Sequence, residues 1–375
     1  MKNDVRRDSF MIITKSKITQ FQFILMIFGI QVGIGMLSLP RELAQKGGTS
    51  SWIAILFGGI ISTLIGIVFV KFREKAPNLN YIGFFTFYLG KIIGSIVVLF
   101  QAMYFLYGGY LALVRATLYI QSYILQETKT YILLVLFLFP TYQLISGGVH
   151  LIAKYIEAIF PIAFFTLFML LFTLKDADIN FILPIIKEGW MPIFKTIPLT
   201  TTSFLGIELI LVYYPYLKSK EKAVKGVIIG NALTTFTYVF VTIICFVIYS
   251  PYEIKMTFEP VIDILSVIEF QYVERLDFIL FSLFLMIISK TWVTFIWAGM
   301  NGLSELFKFR LLPIIIIFLF IIIIILTFIQ VPTFTNTTNH LHVLMISGLY
   351  ITIGIPILLL VGGLIKNRLS KVKIN

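Results

Sequence analysis

Three glycines fall within seven residues, Gly29, Gly33 and Gly35, inside an apolar stretch that ends at Leu39 and Pro40. Glycine inside a helix costs about 1 kcal/mol relative to alanine and loosens the hydrogen-bond ladder. Gly33-Ile34-Gly35 therefore reads as a point where a helix unwinds. Amide N–H groups released there, backed by the positive end of a helix dipole, suit a carboxylate. The plainer alternative is close helix packing, which small residues permit in membranes. A second interruption lies in a later apolar stretch, where Thr200, Thr201, Thr202 and Ser203 precede Phe204 and Gly206. Four successive hydroxyls can bond back to their own helix, or they can serve backbone freed by a break or a ligand's polar groups.

Charges inside apolar stretches are expensive and mark candidate function. Glu208 lies about 24 Å and Lys290 about 22 Å along their stretches at the helical rise. Their depths match, so the two can pair if their helices are neighbours. A structural pair and a ligand- or proton-responsive pair are both open at this point. Arg115, near the end of a long stretch, can snorkel to the interface. Lys154 and Glu157, one turn apart, read as an interfacial pair, while Arg275 and Asp277 sit at the mouth of a stretch. Tyr104, Tyr107 and Gly108 could wall a pocket, with aromatic packing as the alternative. His340 and His342 lack a third ligand nearby, so no metal site is read. There is no phosphate loop, nucleophile elbow or metalloprotease helix, so neither an enzyme nor a cofactor is expected.

The elements that must carry these residues follow from composition. Of 375 residues, 59% are hydrophobic and 13% charged, about half the charge of an ordinary soluble domain, and the mean hydropathy is +0.97. That excludes a typical soluble enzyme and a disordered chain. The single cysteine, Cys245, excludes a disulfide scaffold. The net charge of +12 could point to nucleic acid in a soluble protein. Here the basic residues fall between apolar runs, so they set topology and no nucleic-acid partner is expected. Lys2, Arg6 and Arg7 imitate a signal peptide, but no cleavage site follows and the run reaches spanning length.

Ten stretches are long enough to cross a bilayer: 18–39, 51–70, 91–122, 130–147, 151–174, 192–217, 224–249, 275–302, 311–330 and 342–365. Helix is the expected form, because backbone polar groups in lipid must be satisfied internally and the runs do not alternate as barrel strands would. With the N-terminus inside, inner segments carry 20 Lys and Arg and outer segments 8, which places both termini in the cytoplasm. Ten spans split into five plus five, over about 18–174 and 192–365 of one membrane domain, and an odd number per half inverts the second. The interruptions then fall 15 residues into the first span and 14 into the sixth, as inverted-repeat transporters require. Each half also carries a polar–apolar segment after its second span, 78–90 and 258–271. In the latter, Val261, Ile264, Leu265 and Ile268 follow helical spacing, and Pro260 suits a first turn.

On these patches the chain resembles the B subunit of bacterial spore germinant receptors, a branch of the amino acid–polyamine–organocation transporter superfamily. The patches are the Gly-rich first span ending in Leu39-Pro40, the stretch 183–192 before the sixth span, and Phe204 to Glu208 within it. The segments 258–277 and 288–291, with Lys290, complete the set. Departures are Glu127-Thr128-Lys129 where the family often has Thr-Pro, Lys154 for an Arg, and Glu269-Phe270-Gln271 for Gly-Asp-Phe. The resemblance implies an all-α, ten-helix, LeuT-like fold with broken first and sixth helices cradling an amino acid or similar nutrient. It also implies A-type and C-type partner subunits in the spore inner membrane. Its pocket candidates are Gly33, Ile34, Gly35, Ser203, Phe204 and Gly206, beside Thr202, Tyr104 and Tyr107 from the residues themselves. Glu208 and Lys290 match polar positions whose roles the resemblance leaves open. The family role is nutrient sensing; proton-coupled amino acid transport is the alternative.

Overall fold

A computed structural model of the protein describes residues 17–268, 276–308, 312–329 and 331–372. The basic residues Lys2, Arg6 and Arg7, the segment 269–275 with Arg275, and the side chain of Asp277 lie outside the described residues. Within them the chain is helical, and the sole β contact is an isolated parallel bridge between Ile18 and Leu217.

The helices are α1 (Gln20–Gln31), α2 (Gly35–Gly47), α3 (Trp52–Glu74), α4 (Tyr81–Tyr123), α5 (Thr130–Ser146) and α6 (Gly148–Met169). The second half continues with α7 (Trp190–Ser203), α8 (Ile207–Tyr216, partly 3-10) and α9 (Ala223–Ile248). It ends with α10 (Pro260–Ser266), α11 (Leu276–Phe307), α12 (Leu312–Ile329) and α13 (Phe334–Val372). Thr19 starts α1 with a capping box: its hydroxyl accepts from the Gln22 amide at 3.2 Å, and the Gln22 side chain accepts from the Thr19 amide at 3.0 Å. Two orphan donors of the first turn are thereby satisfied.

The protein is an integral membrane protein. Six helices (α3, α4, α6, α9, α11, α13) are long and apolar enough to cross a bilayer, and the bent pairs α1–α2 and α7–α8 pass the same test together. That makes up to eight crossings among the described residues, where composition led us to expect ten. The expected fourth stretch forms the shorter apolar helix α5, of 17 residues, and the expected ninth is described over α12, with residues 311 and 330 outside the described residues. At the helical rise α5 is about 26 Å long, just under a ~30 Å hydrocarbon core.

Both polar–apolar segments contain a helix among the described residues. Gly90, at φ 77°, divides residues 81–89 from the spanning part of α4, a left-handed conformation that glycine adopts at little cost. The counterpart is α10, with Pro260 in its first turn. The core is built where α11 runs along α4, where α9 packs on α1 and α3, and where α7 packs on α3.

Candidate functional site

Both interruptions expected from the glycines are present, at equivalent places in the two halves. Between α1 and α2 the axis bends by 53°, and between α7 and α8 by 41°. At the first break a Cβ on Gly33 would lie 2.5 Å from the Thr291 hydroxyl oxygen, so a larger residue there requires Thr291 to shift. Gly35 is exposed, and a Cβ there would meet nothing within 4 Å. Ile34 caps α2 without any side-chain hydrogen bond, and neither the Ile34 nor the Gly35 amide makes a backbone hydrogen bond among the described residues. The start of α2 thus presents unpaired N–H groups and a positive helix end.

The second break is closed on itself. Gly206 has φ 102°, and its Cα packs so tightly on Ile30 that a Cβ would lie 2.8 Å from that side chain. Its amide donates to Glu208 Oε2 at 2.9 Å, and the Thr352 hydroxyl donates to the same oxygen at 3.3 Å. Glu208 is fully buried. The hydroxyls before the break bond back along α7: Thr200 and Thr201 to the Ile197 carbonyl, Thr202 and Ser203 to that of Leu199. That is the plainer of the two roles open to them. The Thr200 hydroxyl also reaches the Ala54 carbonyl of α3 at 2.9 Å.

A cavity of about 530 Å³ lies against the breaks. Gly33, Ile34, Gly35, Tyr104, Thr202 and Ser203 line it, joined by Thr291 and Phe295 of α11. Phe204, Gly206, Tyr107, Glu208 and Lys290 do not line it. Phe204 is buried with its ring edge-on to Tyr238 at 5.3 Å. Tyr107 is partly exposed, its hydroxyl 2.7 Å from Nδ1 of His340. Lys290 is buried with its ammonium 5.1 Å from the Phe28 ring centre and its stem against Gly29. No ion pair joins it to Glu208. The helical rise gave equal depth, but depth says nothing about which way two helices face.

Arg115 does not snorkel. It pairs with Glu259 at 2.9 Å, the two side chains being 4% and 3% exposed. It also donates to the Tyr119 hydroxyl, the Phe334 carbonyl and the hydroxyls of Thr337 and Thr338. The guanidinium lies 4.7 Å from the Phe334 ring centre. Arg115 and Glu259 line the cavity too and tie α4 to the segment before α10 and to the start of α13. Burial pushes the Glu259 carboxyl above the usual carboxylate range, against the opposing pull of Tyr119 and Arg115. Nothing in the sequence pattern pairs Arg115 with Glu259, 144 residues away. Lys154 and Glu157 form no ion pair; Glu157 accepts from Gln22 of α1 at 2.9 Å. No group of three metal-binding side chains occurs among the described residues.

Comparison with known proteins fits this geometry. A family model described as "Spore germination protein" matches residues 17–335. Spore germination protein B2 of Bacillus subtilis (strain 168) is 29% identical over 272 residues, covering 71% of this chain and 73% of that protein. MhsT, solved in complex with L-phenylalanine, aligns with a TM-score of 0.60 at 14% identity, over 93% of this chain and 88% of MhsT. Mhp1, a nucleobase-cation-symport-1 family transporter in a closed conformation with bromovinylhydantoin bound, aligns with a TM-score of 0.61 at 14% identity, over 89% and 76%. The likeness to these two is one of fold, that of LeuT-type transporters. The family match takes in both interrupted helices and most of the residues lining the cavity beside them, and on it the chain belongs to the spore germination protein family, the spore permeases.

Proposed function

We propose that this protein is the nutrient-sensing subunit of a spore germination receptor, binding an amino-acid-like germinant in the cavity at the first break. The observation that carries the reading is the pair of unpaired amides at Ile34 and Gly35, which open on a cavity of about 530 Å³. A carboxylate seated there gains N–H donors and the positive end of α2. Tyr104, Thr202, Ser203 and Thr291 offer hydroxyls around it, and Ile34 and Phe295 supply apolar wall. The fold accommodates L-phenylalanine in MhsT and a hydantoin in Mhp1, which supports a small planar or zwitterionic solute. The role is binding and signalling, without catalysis.

In this reading the occupied cavity favours one conformation, and the shift is bounded by the ligand's differential affinity for the two states. The change passes to A-type and C-type receptor subunits in the spore inner membrane. Both termini face the cytoplasm, as the bias of 20 inner to 8 outer basic residues supports. A transport role has one observation in its favour. Glu208 is buried beside the second break, and its Oε1 has no partner among the described residues, so it is placed to carry a proton.

One pair of measurements tests both readings. Full-length protein in proteoliposomes is assayed for binding and for uptake of a panel of labelled L-amino acids. Binding without uptake supports sensing, and uptake supports transport. Absence of any binding removes the germinant site.

A further inference from the structure

The end of each broken helix leaves carbonyls without donors four residues on; backbone amides at the breaks serve some of them, and side chains of other helices serve the rest. Gln31, the last residue of α1, sends its amide nitrogen across to the Phe204 carbonyl of the other break at 3.1 Å. The same nitrogen lies 2.9 Å from Oδ1 of Asn231 on α9. Its amide oxygen accepts from the Thr234 hydroxyl of α9 at 2.7 Å. The Tyr238 hydroxyl, also on α9, is 2.6 Å from the Gln31 carbonyl and 2.9 Å from the Ser203 carbonyl, where α7 ends. Asn231 continues the network to α3, donating to the Gly59 carbonyl and the Thr63 hydroxyl at 2.7 Å each and accepting from Ser62 at 3.1 Å. Gln31, Asn231, Thr234 and Tyr238 are all buried.

We infer that Gln31 and Tyr238 are positioning residues that clasp the two breaks to each other and to α9, so that displacement of one break moves both. Gln31 lines the cavity and stands three residues before Ile34, so a solute seated on the α2 amides presses on one end of the clasp. The other end holds the backbone of Ser203 and Phe204. The Tyr238 hydroxyl has one proton and donates to one of its two carbonyls at a time, and the Gln31 carbonyl also accepts from the Gly33 amide at 2.9 Å. Without the clasp it is the second break, at Ser203 and Phe204, whose buried carbonyls lose donors and whose chain end is free to turn toward another. α9, in contact with both ends, is the element that carries the movement away from the cavity. This extends the proposed function but does not require it, because the clasp is tested without ligand.

The test uses full-length protein in detergent with Ser203→Cys as a reporter at the second break and the native, buried Cys245 as a monitor of general loosening. Both thiols are labelled with a small, neutral methanethiosulfonate, and peptide mapping gives a rate for each. Tyr238→Phe, which removes only the hydroxyl, is expected to raise labelling at position 203 by roughly tenfold with Cys245 unchanged, as local rather than global opening would. Gln31→Leu should do the same, and the double variant should add little, since both act on one clasp. Unchanged labelling at 203 in Tyr238→Phe overturns the inference. So does a parallel rise at both thiols, which is the signature of ordinary destabilisation. Should Gln31→Leu not fold, Tyr238→Phe decides alone.

Discussion

The two breaks occupy equivalent places in the two halves, yet they are finished differently. At the first, α2 begins without a cap and its leading amides open on the cavity. At the second, the equivalent donor is used up: Gly206 gives its N–H to Glu208, and glycine is there because Ile30 leaves no room for a Cβ. One break has unpaired amides beside empty space; the other is packed, and the group it leaves without a partner among the described residues, Glu208 Oε1, does not line the cavity. Symmetry of position therefore does not imply symmetry of task. In the proposed function the first break is the place where a solute is held, and the second is a packed bend that shapes the wall and moves with it.

That contrast can be broken most directly at Gly35. Its missing Cβ points into open space, so Gly35→Trp should fill the seat and weaken amino acid binding by about 100-fold or more. Thermal unfolding in detergent should stay close to that of the parent. Retained binding would show that the solute sits elsewhere. Gly206→Ala should do the opposite: a left-handed alanine costs about 1–2 kcal/mol, and the Ile30 contact adds to it, so unfolding moves to lower temperature. Protein that still folds should bind nearly as before. If Gly206→Ala spares stability but abolishes binding, the roles of the breaks are exchanged.

Smaller changes sharpen the picture. Glu208→Ala leaves the buried Gly206 amide without its acceptor and should cost about 1–3 kcal/mol, whereas Glu208→Gln keeps an acceptor oxygen and should cost less than about 1 kcal/mol. Equal losses in the two variants would mean that the charge itself matters, which favours the transport reading. The smallest effect is expected at Lys290. No carboxylate among the described residues partners it, so Lys290→Met removes a buried cation at no loss of an ion pair and should leave unfolding unchanged or slightly raised. A drop of several kcal/mol in calorimetry would reveal a partner charge.

Much of the architecture was legible because membrane helices announce themselves by length and composition. Gly33, Gly35 and Gly206 were legible because glycine weakens a helix, so its clustering in an apolar run marks either a bend or a close approach. Contacts between remote residues were not. Gln31, Asn231 and Tyr238 are single polar residues scattered over 208 positions, and each looks unremarkable until α1 and α9 are side by side. Arg115 looked like an interfacial residue because its acceptor, Glu259, lies on a segment whose own pattern concerned helix faces. Equal depth for Glu208 and Lys290 was sound as arithmetic, but it carried no information about rotation around the helix axis. Periodicity fixes what an element buries, and only the assembled bundle decides what meets it there.

One further detail concerns how the second broken helix is anchored below its bend. Pro215 has no N–H, so the Leu211 carbonyl four residues earlier is denied its usual intrahelical donor. Arg73, at the end of α3 and fully buried, supplies it: Nε donates to Leu211 at 2.8 Å and Nη2 donates to the same oxygen. Its remaining arm grips the Leu79 carbonyl at 2.8 Å, and its face rests 4.3 Å from the Phe84 ring centre. A gap left by an imino acid in one repeat is thus filled by a guanidinium from the other. α8 cannot swivel unless the 79–84 turn travels with it or that grip lets go, so a tilt of this short helix either tows part of the opposite repeat or costs the Arg73 hydrogen bonds.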